Sequence, residues 1–182
     1  KILFVATKKQ AKEIVAKYAG DVNMPYATER WPGGMLTNFV TIRKAIKKMQ
    51  SIDKMKENGT FETLSKRERL QVERQRAKLE KDFGSVEDMN RLPAALFIVD
   101  IKREHIAVDE AIKLGIPTFA MVDTNSDPRR VDYAIPANDD ASKSIAVILE
   151  RVTAGIKEGL SQRKSDKAAA EQSKIEKKAA KV

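Results

Sequence analysis

Short apolar runs alternate with helix-patterned stretches over most of the chain. The runs are rich in β-branched and aromatic residues and have no polar face, which is typical of strands buried on both sides of a sheet. These strand-like runs are 2–6, 94–99, 118–122 and 133–135. Stretches with apolar residues at helical spacing lie between or after them, at 9–19, 104–114 and 141–156, and Asp139 or Asp140 is expected to cap the last. The alternation predicts an α/β fold with a three-layer parallel sheet.

Residues 37–90 interrupt this alternation. Two helical patterns, 37–58 and 61–83, are joined at the turn signal Asn58-Gly59, and the second is densely charged with few apolar positions. Two helices of about 20 residues would form a hairpin about 30 Å long. We predict a protruding antiparallel coiled coil, because the alternative, two helices lying on the sheet, requires wider apolar faces.

Three regions follow from this pattern. We expect an α/β globular domain formed by residues 1–36 and 91–159, with the hairpin of residues 37–90 inserted in it. Residues 160–182 are rich in Lys, Ala, Glu, Ser and Gln. This tail is expected to be basic and disordered or transiently helical, because it has almost no apolar side chain to anchor it.

Charge adds a functional hint. The net charge is +9, and the surplus lies in residues 1–91 and in the tail, whereas residues 92–159 are acidic. Such a surplus is typical of a phosphate-binding surface, although a solubilising surface has the same composition. The absence of cysteine excludes disulfides, Cys-based zinc sites and thiol chemistry. No apolar run approaches the roughly 20 residues of a membrane span, so no membrane partner is predicted.

The stretch ERWPGGMLTNF at 29–39 has two interpretations. Adjacent glycines between a strand and a helix can bind phosphate, or they can form an elbow that presents Arg30 and Trp31 to a partner. The phosphate-loop fingerprints are missing, because no glycine follows the first strand and no Lys-Ser/Thr pair follows Gly33-Gly34. Trp31 has two possible roles, stacking on a base or packing in the core.

Acidic residues follow the predicted strands. Asp100, Asp123 and Asp127 stand where an α/β sheet binds ligands, and they could hold Mg²⁺ for nucleotide or phosphoryl chemistry. The same residue types cap helices and shape turns, which is the simpler interpretation. His105 is the only histidine, so the usual nucleophilic devices are largely absent.

Five motifs in order resemble the small-subunit ribosomal protein S-two family. They are KILFVATKK at 1–9, ERWPGGMLTN at 29–38, LPAALFIVD at 92–100, LGIPTFAMVDTNSDP at 114–128 and VDYAIPANDDASKS at 131–144. The helical insertion resembles the bacterial and organellar branch. Family members usually carry a leading segment that is missing here, and the chain opens on Lys1, so we expect an N-terminal truncation.

The resemblance implies a flavodoxin-like α/β domain with a protruding coiled coil, and a non-catalytic, cytoplasmic ribosomal protein without cofactor, metal or small-molecule substrate. The implied partners are small-subunit ribosomal RNA and other small-subunit proteins, including ribosomal protein S-one. A Mg-dependent flavodoxin-like nucleotide or phosphoryl-transfer enzyme is the alternative. The predicted RNA-binding residues are Lys8, Lys9, Arg30, Trp31, Arg43, Lys44, Lys47, Lys48, Arg129 and Arg130. A solvated helix face is the alternative interpretation of the stripe on residues 43–48.

Overall fold

The computed structural model describes the backbone of residues 1–179 and the side chains of residues 1–166. The strands are β1 (Ile2–Val5), β2 (Tyr26–Ala27), β3 (Ala95–Val99), β4 (Thr118–Val122) and β5 (Tyr133–Pro136). The helices are α1 (Lys12–Asp21), α2 (Phe39–Glu57), α3 (Lys66–Phe83), α4 (His105–Leu114) and α5 (Ser142–Ala179).

The five strands form one sheet in which every pairing is parallel. Their order is β2-β1-β3-β4-β5, which is the flavodoxin-like order of doubly wound sheets. The predicted α/β parallel sheet is therefore confirmed. In this order the chain changes direction across the sheet between β1 and β3, and the crevice beyond the carboxyl ends of these two strands is where such folds bind ligands.

Side chains alternate between two apolar clusters, one on each face of the sheet. Leu3 and Val5 of β1 point into the first cluster, and Phe4 points into the second. The first face is covered by α4 and by residues 31–46, whereas α1 and α5 cover the second. Both faces are covered, which explains why the strands carry no polar alternation.

Helices α2 and α3 occupy the interrupting stretch and pack against each other. A short 3₁₀ turn at Thr60–Thr63 precedes α3, and Ser65 begins that helix with a capping box to Glu68. Arg76 of α3 pairs with Asp53 near the end of α2, and Arg43 near the start of α2 contacts Asn90 beyond the end of α3. The two helices therefore run in opposite directions. That α2 and α3 protrude from the α/β domain as a coiled coil stays a prediction.

Several boundaries differ from the sequence prediction. Strand β2 has only two residues, too few for a pattern, and it was not predicted. Helix α1 begins at Lys12 instead of residue 9, because residues 8–11 form a turn. None of the described helices combines the length and apolar content that a membrane crossing needs.

The largest difference is at α5, which continues through residues 160–179. The expectation for this tail was disorder or a transient helix, and the high helix propensity of its residues explains the helix. Residues 180–182 of the predicted tail lie outside the described residues. The predicted cap at Asp139 or Asp140 is wrong: the side chain of Asn138 accepts the N–H groups of residues 140 and 141.

We predict that Gly34→Ala lowers the free energy of unfolding by roughly 1–2 kcal/mol. Gly34 has φ +87°, and a Cβ there would lie 3.2 Å from Cβ of Asn38. Urea denaturation measures the change. Gly33→Ala is the control, because Gly33 has open space around it and no positive φ. Equal effects of the two substitutions would contradict the prediction.

Candidate nucleic-acid interface

The lysines predicted on α2 lie on its outward side. Lys44, Lys47 and Lys48 are exposed, whereas Ile42 and Ile46 on the opposite side are buried in the core. Among the residues whose side chains are described, none of the three lysines has an ion-pair partner. Their ammonium groups are therefore available to an external anion.

Arg43, the fourth cation of this stripe, is half-buried. Its Nη1 donates to the carbonyl oxygen of Met89 at 3.2 Å and to the side chain of Asn90. Arg43 thus ties α2 to the segment after α3, and part of its donor capacity is used within the protein.

Arg30 and Trp31 occupy the elbow after β2 in opposite environments. Arg30 is exposed, whereas Trp31 is only 6% exposed and packs in the core. The indole Nε1 donates to Oε1 of Glu110 at 3.2 Å. Of the two interpretations of Trp31, the structure supports packing in the core. The proposed base-stacking role is corrected accordingly, because base stacking needs an exposed ring face.

Glu110 holds the elbow in place. Oε1 accepts the N–H of Gly34 at 2.8 Å in addition to the indole N–H. Oε2 accepts the N–H groups of Leu36 and Thr37, at 2.8 and 2.9 Å, and the Thr37 hydroxyl at 3.2 Å. Burial favours a raised pKa, but the hydrogen bonds outweigh it and hold the pKa of Glu110 below its usual range.

No sequence signal singled out Glu110. It follows Asp109 on α4, and two adjacent acids on an amphipathic helix have the pattern of a solvated surface.

The backbone of the elbow does bind an anionic group, as the glycines suggested, but this anion is the Glu110 side chain of the protein itself.

Lys8 lies beyond the carboxyl end of β1 among three carboxylates. Its Nζ is 2.7 Å from Oδ1 of Asp139 and 3.2 Å from Oδ2 of Asp100, and it also contacts Asp140. Burial favours a lowered pKa, but these hydrogen bonds outweigh it and raise the pKa of Lys8. Lys8 was predicted to contact RNA, yet its side chain is 12% exposed and its donors are used inside the protein.

Glu104 closes the neighbouring turn. Its Oε1 accepts the backbone N–H of Thr7 at 2.8 Å and also the Thr7 hydroxyl, and Arg103 donates to that hydroxyl at 2.9 Å. Burial raises the pKa of Glu104. In doubly wound folds this first turn binds phosphate, and here a carboxylate of the chain takes the backbone donor.

The three carboxylates suggested for Mg²⁺ do not converge. Asp100 contacts Lys8, and Asp127 accepts from the backbone and guanidinium of Arg129. A different set does converge, because one oxygen each of Asp123, Asp139 and Asp140 lie within 4.8 Å of one another. The ammonium of Lys8 contacts two of these three carboxylates, so this cluster already holds a cation of the chain itself.

The remaining candidates are exposed but only partly free. Lys9 is exposed beside the Lys8 cluster. Arg129 pairs with Asp127 at 2.9 Å, and Arg130 pairs with Asp109. Exposed pairs of this kind are weak, so they leave both arginines open to competition by phosphate.

These contacts define the class of protein. It is an α/β domain in flavodoxin-like order whose ligand crevice is occupied by its own charged side chains, and which carries a row of exposed lysines on a helix outside that crevice. A family model described as Ribosomal protein S2 matches residues 1–159. The chain belongs to the Ribosomal protein S2 family, which is a family of ribosomal proteins and not of enzymes.

Similar proteins named small ribosomal subunit protein uS2 occur in several bacteria. The chain is 75% identical to that of Flavobacterium johnsoniae, over 92% of the chain and 66% of the relative. It is 74% identical to that of Flavobacterium psychrophilum, over 93% and 64%, and 66% identical to that of Parabacteroides distasonis, over 94% and 62%. The chain thus spans less than two thirds of the length of these relatives.

We predict that Lys8→Met lowers the free energy of unfolding by roughly 3 kcal/mol at neutral pH, because it leaves buried carboxylates without their cation. Burial raises the pKa of Asp139. An acid whose pKa is raised in the folded state stabilises the fold while it is protonated. This contribution is fully present below about pH 3.9, the pKa of the acid in the unfolded chain, and it is lost as the pH rises through the pKa of the acid in the folded chain. The deficit of Lys8→Met should therefore shrink as the pH falls toward about 4.

Urea denaturation from pH 4 to 8 measures this deficit. Lys9→Met is the matched control, since it removes the same charge from an exposed neighbour and should change stability by less than about 0.5 kcal/mol. A deficit that is independent of pH would show that the carboxylates are not the cause.

For Trp31→Phe we expect the ring packing to survive and the hydrogen bond to Glu110 to be lost, at a cost of roughly 1.5–3 kcal/mol in stability. RNA affinity measured at a temperature where the variant is folded should not change. Lost RNA affinity with unchanged stability would restore the base-stacking role.

Proposed function

We propose that this protein is a structural constituent of the small ribosomal subunit in the cytoplasm, where it binds ribosomal RNA through phosphate contacts and helps hold neighbouring ribosomal proteins. Membership of the Ribosomal protein S2 family supports the first part. The observation that carries RNA binding is the exposed row of Lys44, Lys47 and Lys48 on α2.

A rigid support makes this row suitable for phosphate binding. Helix α2 buries Ile42, Ile46, Met49 and Ile52, so its lysines are carried on a backbone that the core holds in place. Lysine is a point charge without a fixed fork geometry. Contacts from this row would supply affinity and position without reading bases.

Helices α2 and α3 form, in this proposal, the arm inserted between residues 1–36 and 91–159. Burial supports it. The last buried side chain of α2 is Ile52, and Phe83 is the only buried side chain in α3, all of whose side chains are described. The half of the pair near Gly59 therefore contributes little to the core and is free to extend along RNA.

Contacts with neighbouring proteins, including ribosomal protein S-one, are the less direct part of the proposal. Exposed apolar side chains support them. Ile112 on α4 and Tyr133 on β5 are 57% and 56% exposed, and both line one surface cavity. Exposed apolar groups near one another are typical of protein contact sites.

The alternative of a Mg-dependent nucleotide enzyme is not favoured. The family consists of ribosomal proteins, and the backbone donor of the first turn is bound to Glu104.

We predict that replacing Lys44, Lys47 and Lys48 together by Gln weakens binding to small-subunit ribosomal RNA. Each phosphate contact contributes roughly 0.7–0.9 to the slope of log affinity against log salt. The triple variant should therefore reduce this slope by about 2–3. Filter binding across a salt series gives both the slope and the affinity.

The matched control replaces Lys113, Lys143 and Lys157, which are exposed on α4 and α5, by Gln. It removes the same net charge, so it separates a local contact from the general effect of charge. Equal loss of slope in the two triple variants would contradict the assignment of the α2 row.

A further inference from the structure

The elbow of residues 31–37 has the geometry of an anion-binding nest. The N–H groups of Gly34, Leu36 and Thr37 converge on the Glu110 carboxylate within 2.8–2.9 Å. The Thr37 hydroxyl and the Trp31 indole complete five donors, both at 3.2 Å. Successive backbone N–H groups that point into a concavity are a known means of binding oxyanions.

The carboxylate in this nest has no cationic partner among the described side chains. Glu110 is 7% exposed, so its charge is stabilised by neutral donors and by the start of α2 two residues beyond Thr37. The interaction is therefore one between an oxyanion and a set of dipoles.

This nest joins two elements that are distant in sequence. Ala107, Val108 and Ala111 of α4 are fully buried against the sheet, which fixes the position of Glu110. The elbow is the only covalent link from β2 to α2, and its Gly34 has a φ of +87°. The direction in which α2 leaves the sheet is thus set where the elbow meets Glu110.

We propose that Glu110 is a positioning residue: it is the built-in oxyanion ligand of the elbow nest, and its binding there fixes the orientation of α2 relative to α4. The consequence for RNA rests on the proposed function, because α2 carries the lysine row. The consequence for the protein alone does not rest on the proposed function. Any variant that lacks the Glu110 side chain should contain a vacant carboxylate site.

Chemical rescue with formate tests the nest directly. In Glu110→Ala the donors lose their acceptor, and formate supplies the same carboxylate. We expect a saturable rise of the thermal midpoint by roughly 2–4 °C with sodium formate over sodium chloride at equal ionic strength. If the variant folds only in formate, that result also supports the nest.

Two control variants distinguish formate binding in the nest from a general effect of formate on stability. Val108→Ala removes apolar volume from the same helix and leaves the carboxylate in place, so formate should not shift its midpoint. Glu110→Gln fills the site with a group that has donors of its own, so it should be destabilised and unresponsive. An equal formate effect in Val108→Ala, or none in Glu110→Ala, would overturn the proposal.

Orientation is measured by the distance between spin labels on α2 and α4. The chain has no cysteine, so Ser51→Cys on α2, outside the lysine row, and Lys113→Cys on α4 introduce the only labelling sites, both exposed. The distance distribution should be narrow in the parent, broad in Glu110→Ala and narrow again with formate. If Glu110→Ala does not fold at all, Glu110→Gln should show the broadening.

RNA affinity in the same variants separates the two proposals. If label distances respond to formate and RNA affinity does not, the positioning role stands and the RNA-binding role of α2 fails. If neither the midpoint nor the label distances respond, Glu110 is not a positioning residue, whatever the RNA result.

Discussion

Glu110 brings a negative charge into a site with five neutral donors and, among the described side chains, no cation. Burial alone would raise its pKa, yet the pKa lies below the usual range, so the donors outweigh the desolvation. Hydrogen bonds to a charged group contribute roughly 1.5–3 kcal/mol each. The indole of Trp31, the N–H of Gly34 and two N–H groups just before α2 all bind this carboxylate.

A second group of charges occupies the crevice of the sheet and explains why it is not a ligand site. Doubly wound sheets bind ligands beyond the carboxyl ends of their strands. In this protein Lys8 and Asp139 fill that crevice with an ion pair, and Glu104 takes the N–H of Thr7. The crevice is therefore occupied by the chain itself, and the RNA-binding role that we propose is assigned to a helix outside it, in keeping with the separability of fold and function.

The sequence predicted the parts that are locally encoded. Thr118–Val122 was predicted with the bounds that β4 has, because a buried strand is visible as an apolar run. The contacts of Glu110 with residues 31–37 and of Lys8 with Asp139 cross 73 to 79 and 131 residues. No spacing rule connects such positions, so both were missed. Trp31 stayed undecided because one aromatic residue carries no periodicity.

If the protein is held in the small ribosomal subunit in large part by phosphate contacts, as we propose, salt must weaken its attachment to the particle. Co-sedimentation of the protein with purified small subunits across a salt series tests it most directly. We expect the protein to travel with the particle at low salt and to be released progressively as the salt concentration rises. Failure to travel with the particle at low salt would contradict it.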